Sequence, residues 1–452
     1  MSFKLARHSD LTSLKQRKLP REGALIAALD MGAAKTVCFI ARLMPINDGS
    51  VDCDIIGAGH FGAHAQKSAF ENRTDADPHH TQDSVSFQAR EKAVRNAIEA
   101  AETMAGERIS EIHVAVPGAK IHCRHIGVDL DIAGGFVTGD DIADSLHEGA
   151  RLITPEGARC LHVMPTGFSV DSENLGTDPR GMRGQSLTTR MLGVYSSESH
   201  LANTAAIIES AGLRPASFVA GPLMMARSVV VDDEKELGVL VINIGAQSIE
   251  YAVYSDGRPT GCGGVKVGAA NITRDIAQCF STPIAHAERQ KILHGTILSS
   301  SGDEHRFVDF IPLTNDEQAN RVSRADLTSV ILARMEEIYE IALGRIIADQ
   351  CAIQHLRRVV ITGGGSQLDG LREHAERVFS MKSRLGRPLN IDGAPEALSG
   401  PSFSTCAGTL DYVARSYHLR PEFPETQNVG GVLAVGDRSA GGGVAAWLRA
   451  KF

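Results

Sequence analysis

The sequence predicts a mixed α/β chain built by duplication, two related halves facing each other across a cleft. Two observations carry that prediction, and a third supports it. An apolar run at 24–29 breaks at Asp30-Met31-Gly32 and resumes at 36–40, which reads as strand, tight turn, strand, with Gly32 freeing the backbone at the turn. The same pattern returns at 237–254, where the run ending at Asn243 gives way to Ile244-Gly245-Ala246-Gln247-Ser248 and a second apolar run follows. Asp30 aligns with Asn243, Gly32 with Gly245 and Lys35 with Ser248. A third glycine turn, Gly363-Gly364-Gly365-Ser366, follows a buried-strand pattern at 359–362 and precedes a helical pattern over 371–379.

The remaining elements follow from periodicity. Phe87, Val94, Ile98, Ala101 and Ala105 fall on one face of a helix that Gly106 ends. Strands at 112–116 and 160–164 bracket a helix around 139–152. Another amphipathic helix spans 197–212, with Leu201, Ala205 and Ile208 inward and Gly212 at its end. Leu327, Ile331, Met335, Ile338 and Ala342 mark one long helix, for which Asp326 is the expected cap. Residues 1–22 are polar, aperiodic and basic, with Lys4, Arg7, Lys15, Arg17, Lys18 and Arg21, and read as a disordered arm. From 420 to 443 the chain is rich in proline and glycine, a linker by composition.

At 452 residues the chain suggests several compact units, and 43% hydrophobic with 22% charged residues is ordinary globular composition. A formal charge of −8 argues against general nucleic-acid binding, which Lys and Arg drive. The eight cysteines stand singly at 38, 53, 123, 160, 262, 279, 351 and 406, without the spacing of a zinc site or a disulfide framework, and read as small buried residues. His60, His64, His79 and His80 lack ligand spacing. With neither a long apolar run nor a signal-peptide pattern, the expectation is a cytoplasmic protein.

A glycine turn between strands presents backbone N–H groups with no side chain in the way, and such concavities bind phosphate oxygens. One turn from each half, closing on one cleft, would clamp a polyphosphate from two sides. A nearby carboxylate, here Asp30, would hold magnesium through water. The third turn would offer small residues against which a flat purine lies.

The order of these turns resembles that of the superfamily of actin, heat-shock chaperones and sugar kinases. Within it the chain is similar to the FtsA family of bacterial cell-division proteins over nearly its whole length. The likeness rests on Ala27-Ala-Leu-Asp-Met-Gly-Ala-Ala-Lys35, Ile55-Ile-Gly-Ala-Gly59 and Glu236-Leu-Gly-Val-Leu-Val-Ile-Asn-Ile-Gly245. It continues in Asn271-Ile-Thr-Arg-Asp-Ile-Ala277, Ala287-Glu-Arg-Gln-Lys291, Thr362-Gly-Gly-Gly-Ser-Gln-Leu368 and Arg384-Leu-Gly-Arg-Pro-Leu-Asn-Ile-Asp-Gly393, and in the closing Trp447-Leu-Arg449 with Phe452.

The resemblance implies an actin-like core with a family-specific subdomain. It divides the chain into a first core at 23–106 and 187–219, the added subdomain at 107–186, a second core at 220–252 and 326–419 whose last part returns to the first, and a further subdomain at 253–325. It implies ATP with magnesium as ligand. Asp30, Gly32, Ala33, Lys35, Gly245, Ala246 and Gln247 fall on the phosphate turns, Glu288 and Lys291 on the helix that meets ribose and adenine, and Gly363, Gly364, Gly365 and Ser366 on the adenosine turn. It further implies self-assembly into filaments, contact with other division proteins, and binding of the acidic FtsZ tail by Arg324, one turn ahead of the long helix, and by Arg334 and Glu337 on it. The protein would lie at the septum, peripheral on the cytoplasmic face of the inner membrane.

Departures from the family pattern qualify the chemistry. The second turn usually carries an aspartate and three glycines; here Asn243 replaces the acid and Ala246 and Gln247 put side chains beside the phosphate path. Asn243 orients water but takes no proton, so binding of ATP with little or no hydrolysis is expected. Ala33 also stands where a hydroxyl residue is common.

Residues 444–452 form an amphipathic turn pattern. Val444, Trp447, Leu448 and Phe452 share an arc of about 140°, Arg449 sits at its edge, and the stem of Lys451 reaches from within the arc toward headgroups. So short a helix is marginal in water and should order on an anionic membrane. Two rival readings stay open: an ATPase or kinase of the same superfamily, which needs a catalytic carboxylate in the cleft, and a pilus-assembly adaptor, which has no need of the tail.

Overall fold

The computed structural model describes residues 23–45, 51–62, 87–175, 178–314 and 319–416, apart from 352, 354, 390–392 and 394–395. The expected arm at 1–22, the linker at 420–443 and the segment at 444–452 lie outside the described residues, as do His64, His79 and His80.

The first apolar run forms β1 (Leu25–Met31), antiparallel to β2 (Lys35–Pro45), which pairs with β3 (Val51–Gly62). Helix α1 (Phe87–Ala105) leads into β4 (Glu111–Val116), parallel to β1. An inserted unit follows. Strands β5 (Ile121–Asp131), β6 (Ala158–Val170), β7 (Glu173–Leu175) and β8 (Ser186–Ser197) make a sheet ordered β5-β8-β6-β7, against which α2 (Gly139–Ile153) packs. Helix α3 (Glu198–Ser210) and β9 (Arg214–Ala220) complete the first half, whose sheet runs β3-β2-β1-β4-β9.

The second half passes through α4 (Gly221–Val229) and α5 (Asp232–Leu237) to β10 (Val239–Ile244), β11 (Ile249–Ser255) and β12 (Arg258–Val265). Then come α6 (Ala269–Cys279), α7 (Ile284–His294), the hairpin β13 (Phe307–Phe310) and β14 (Asn320–Ser323), and α8 (Arg324–Ala348). Strand β15 (Arg358–Thr362), α9 (Leu371–Phe379) and β16 (Lys382–Leu385) finish a sheet ordered β12-β11-β10-β15-β16. The last described helix, α10 (Ser404–Arg415), leaves that half and packs on β1, β2 and β3, where Cys406, Leu410 and Val413 join Ile26, Val37 and Ile55 in one apolar cluster.

The duplication is exact in topology. Each sheet places its strands in the order third, second, first, fourth, fifth of its own half, with an antiparallel hairpin at one side and parallel strands beyond it. The inner parallel strands β4 and β15 are buried nearly throughout, as strands covered on both faces are, whereas the edge strand β16 is largely exposed. One apolar cluster runs unbroken from Leu29 and Val114 through Leu223 and Met225 of α4 to Val241 and Val360, so the halves share a core rather than merely touching.

Several expectations change. Phe87 is exposed; the buried stripe of α1 is Ala93, Val94, Ala97, Ile98 and Ala101. The long helix begins at Arg324, not a turn later. Its cap is Ser323, whose hydroxyl accepts from the Asp326 N–H, while Asp326 sits inside the first turn. The insert's sheet runs from Ile121 to Ser197, so the expected segment 107–186 takes in β4 of the core and omits β8, a central strand of the insert. Strand β12 likewise belongs to the second core sheet rather than to the segment 253–325.

Candidate nucleotide cleft

The first two turns are geometrical copies. Hairpin pairing ends at Met31↔Thr36 in one and Ile244↔Ile249 in the other. A Cβ on Gly32 would stand 2.8 Å from the carbonyl oxygen of Lys35, and one on Gly245 would stand 2.8 Å from that of Ser248. Each turn therefore requires glycine for the same close approach. The alignment drawn from sequence, Gly32 with Gly245 and Lys35 with Ser248, is thus the alignment of the backbone.

The third turn meets the second through the pairing of β10 with β15, in which Asn243 lies opposite Thr362. Gly363 has φ +89°, and a Cβ there would collide with the Asn243 Oδ1 atom and lie 2.7 Å from the Ile244 carbonyl oxygen. Gly364 is exposed, whereas the Ser366 hydroxyl is buried and donates to the Gly363 carbonyl at 2.7 Å. Ser366 thus shapes the turn, and its hydroxyl is already engaged.

Residues 401–403 connect the third turn to the first. The Gly363 N–H donates to the Pro401 carbonyl at 3.2 Å. The Lys35 ammonium donates to the Ser402 hydroxyl at 2.7 Å and stands 3.4 Å from the centroid of the Phe403 ring. Partial burial pulls the Lys35 ammonium down to about 8, although neighbouring Asp30 favours its charge.

Asn243 is not alone. One residue of the opposite strand, Glu250, pairs with it in register, accepts from its Nδ2 at 3.1 Å, and accepts from the Gly118 N–H at 2.8 Å. Gly118 belongs to the first half, in the turn just after β4, so this carboxyl bridges the halves. Burial pushes Glu250 up to about 7, with the Asp30 charge adding to the rise. Asp30 itself is pushed up to about 6 by burial, opposed by Lys35. Burial holds both carboxyls toward their neutral forms, and a divalent cation beside Asp30 would favour its charged form, chemistry that suits magnesium.

Sequence reading missed Glu250, Ser402 and Phe403. Glu250 was legible in principle, because the aligned hairpin places positions 243 and 250 opposite one another. Ser402 and Phe403 carried no local signal, since only the return of α10 to the first sheet brings them to Lys35.

Glu288 and Lys291 on α7 are an ion pair of 2.7 Å. Lys291 also donates to the Thr273 hydroxyl at 2.8 Å and the Ala269 carbonyl at 3.2 Å, and Thr273 donates to Glu288. The pair is thereby fixed to α6, whose first N–H groups, of Ala269 and Ala270, donate to the Gly245 and Ala246 carbonyls at 2.9 and 2.7 Å. Ala246 and Gln247 are half-buried on that turn, as Ala33 is on the first.

The residues expected for a partner peptide lie at the start and in the middle of α8. Arg334 forks onto Asp275 of α6 and also bonds Glu337. Arg324, 3.9 Å from buried Asp303, starts α8. Exposed Phe307, Ile311 and Leu313 lie on and just beyond β13, with the Arg321 guanidinium over the Phe307 ring.

A stability measurement tests the bridge. Between pH 4.5 and about 7 the folded chain keeps the Glu250 proton that the unfolded chain has released, so folding stability should fall as pH rises through that window. Asp30 adds a fall of the same sign between 3.8 and about 6. The Glu250 part is about 1–3 kcal/mol. Glu250→Gln should remove it in urea unfolding, and an unchanged slope in the variant would place the titrating group elsewhere.

Known proteins are similar to this chain over most of its length. The family model "Cell division protein FtsA" matches residues 240–408, and the model "SHS2 domain inserted in FTSA" matches 118–195, the span of the inserted sheet. The FtsA protein of Agrobacterium fabrum is 32% identical over 420 residues, covering 91% of this chain and 92% of that one. The FtsA protein of Escherichia coli K12 is 29% identical over 406 residues, covering 88% and 92%. Among solved structures, a PilM–PilN type IV pilus biogenesis complex is similar in fold, with a TM-score of 0.57 at 16% identity over 87% of this chain and 99% of that one.

Proposed function

Since the chain belongs to the FtsA family of actin-like cell-division proteins, we propose that it binds ATP with magnesium in the cleft of the three turns, assembles into filaments, and ties FtsZ filaments to the cytoplasmic face of the inner membrane. One observation carries the nucleotide part: the two copied turns and the Gly363 turn converge through residues 401–403 and the Asn243–Glu250 pair. In this reading the backbone at Gly32, Ala33, Gly245, Ala246 and Gln247 meets the phosphates. Asp30 faces magnesium through water, and Glu288, Lys291 and the turn at Gly363, Gly364 and Gly365 meet the nucleoside. Lys35 exchanges Ser402 for a phosphate oxygen.

Titration with a fluorescent ATP analogue and magnesium tests it. Asp30→Asn should weaken the magnesium-dependent part of the affinity about tenfold or more, the scale of one charge-assisted contact. No binding at millimolar nucleotide would leave a nucleotide-free scaffold.

The partner surface combines Arg324, Arg334, Glu337 and the exposed apolar residues at 307–313, chemistry that suits an acidic, apolar FtsZ tail. The pairing of Arg334 with Asp275 makes Arg334→Glu a mixed probe. It should weaken peptide binding, but also cost about 2 kcal/mol and lower the melting temperature by a few degrees, because two acids would then face each other. Arg321→Glu, at a 70% exposed side chain, should weaken FtsZ-peptide binding severalfold in fluorescence anisotropy with no change in melting. Equal affinity in both variants would move the site. No described helix is long and apolar enough to cross a membrane. Membrane contact is assigned to Val444, Trp447, Leu448, Arg449, Lys451 and Phe452.

A further inference from the structure

Helix α6, a single element of 11 residues, is bonded to both candidate sites. Its first turn belongs to the cleft. The Ala269 and Ala270 N–H groups donate to the Gly245 and Ala246 carbonyls at 2.9 and 2.7 Å, and the Asn271 side chain accepts from the Gly268 N–H at 3.1 Å. One turn further on, buried Thr273 donates to Glu288 and accepts from Lys291 at 2.8 Å, so the helix also carries the ion pair assigned to the nucleoside. Asp275 follows two residues later, about 200° round the helix axis from Thr273. It accepts from Nε and Nη2 of Arg334 on α8, the latter at 2.9 Å. Thus α6 lies between α7, which it meets through Thr273, and α8, which it meets through Asp275.

Arg334 is held in one orientation by these bonds. One edge of its guanidinium, Nε with Nη2, matches the two Asp275 oxygens, and Nη1 donates to Glu337. Among the described residues these bonds leave one N–H on Nη1 and one on Nη2 for a further acceptor. At 26% exposed, the side chain is within reach of a ligand. A planar fork fixed in this way loses little additional freedom when it takes another carboxylate. Asp275 therefore orients Arg334, and whatever restrains α6 restrains Asp275.

We propose that α6 couples the two sites positively, so that Arg334 holds an acidic peptide more tightly when the cleft is occupied by nucleotide, and the cleft holds nucleotide more tightly when the peptide is bound. The inference rests on the nucleotide and peptide assignments made above. Its physical route is ordering. With the second turn and the Glu288–Lys291 pair engaged, α6 is restrained at its first turn and at Thr273, and the helix backbone carries that restraint over two residues to Asp275. The peptide then meets an arginine whose position is already fixed, and less entropy is lost on binding. Both directions carry the same factor, because the coupling is one free energy shared by the two ligands. Asp275 is a positioning residue for the peptide and has no contact with the nucleotide on this route.

Fluorescence anisotropy of a labelled FtsZ C-terminal peptide on the full-length protein, with and without a non-hydrolysable ATP analogue and magnesium, reads the coupling. The peptide Kd should fall about fivefold or more on adding nucleotide, the lower end of the usual range for coupled sites, and nucleotide titrations with and without peptide should return the same factor. In Asp275→Asn both ligands should still bind, nucleotide alone with wild-type affinity, while the factor drops to about one. Asp275→Glu keeps a carboxylate for the fork and should recover part of it. Arg321→Glu, off this route, should weaken the peptide yet leave the factor as in wild type. Hydrogen exchange gives a second readout: nucleotide should slow the amides of 272–279 in wild type and Asp275→Asn alike, as expected of a folded variant with an occupied cleft. Two ligands that bind wild type with a factor of about one overturn the coupling and leave both site assignments standing. An undiminished factor in Asp275→Asn overturns the route through α6. Failure of either ligand to bind alone overturns the assignments themselves, and this proposal with them.

Discussion

A chain ending at Gly443 is expected to remain in the supernatant with anionic vesicles that pellet the full-length protein, while melting at the same temperature. The expectation rests on a near-cancellation. Burying Val444, Trp447, Leu448 and Phe452 in the interface gains about 1.5–3 kcal/mol each. Ordering nine residues from coil costs about 1–2 kcal/mol per residue in backbone entropy. What remains for one protomer is small, helped by Arg449 and Lys451 at roughly 1 kcal/mol per charge near anionic lipid. Binding therefore depends on every anchor and on many protomers acting together. Trp447→Ala should lose most of the pelleting, and diluting the protein below its assembly concentration should release the wild type. Pelleting of the truncated chain would rule out 444–452 as the anchor.

Restoring the second turn, with Asn243→Asp, Ala246→Gly and Gln247→Gly, is expected to raise phosphate release from ATP by about 10²–10⁴ while changing nucleotide affinity far less. That is the usual contribution of one well-placed general base. The Glu250 carboxyl adds a condition. The Asn243 amide now donates to it at 3.1 Å, and an aspartate there would instead face a second acid. Without magnesium the triple variant should melt lower than wild type above neutral pH, and magnesium-ATP should recover the loss. Wild-type turnover as fast as an ordinary kinase would revive the enzyme reading. It would also make Glu250, rather than position 243, the group to test.

The duplicated half-sheets were legible because apolar runs, glycine breaks and their repetition are local signals, and the copied 2.8 Å approaches at Gly32 and Gly245 bear out the alignment. The helices at α1, α2, α3 and α8 were legible for the same reason. Edges were less so. Strand β8 was given to the core because nothing in a strand's own sequence says which sheet it joins, and its partners β5 and β6 lie more than a dozen residues away. The cap of α8 was misplaced by three residues because Ser323 and Asp326 both carry cap chemistry and bond to each other. In the candidate cleft, the turn positions were legible because glycine breaks are local signals. The groups that enter from distant sequence, Ser402 against Lys35 and Gly118 against Glu250, were not. The state of Arg334 was invisible too, since its partner Asp275 lies on another helix.

The return of α10 to the first sheet has a consequence for how the chain is made. Strands β1 and β2 leave the ribosome early, yet Cys406, Leu410 and Val413, which cover one face of that sheet, come some 360 residues later. At 5–20 residues per second that is a wait of roughly 20–70 s. During that time the face at Ile26, Val37 and Phe39 has no lid, while the second half, contiguous from β10 to β16, is complete sooner. The half that begins first therefore finishes last, about thirty residues before synthesis reaches 444–452.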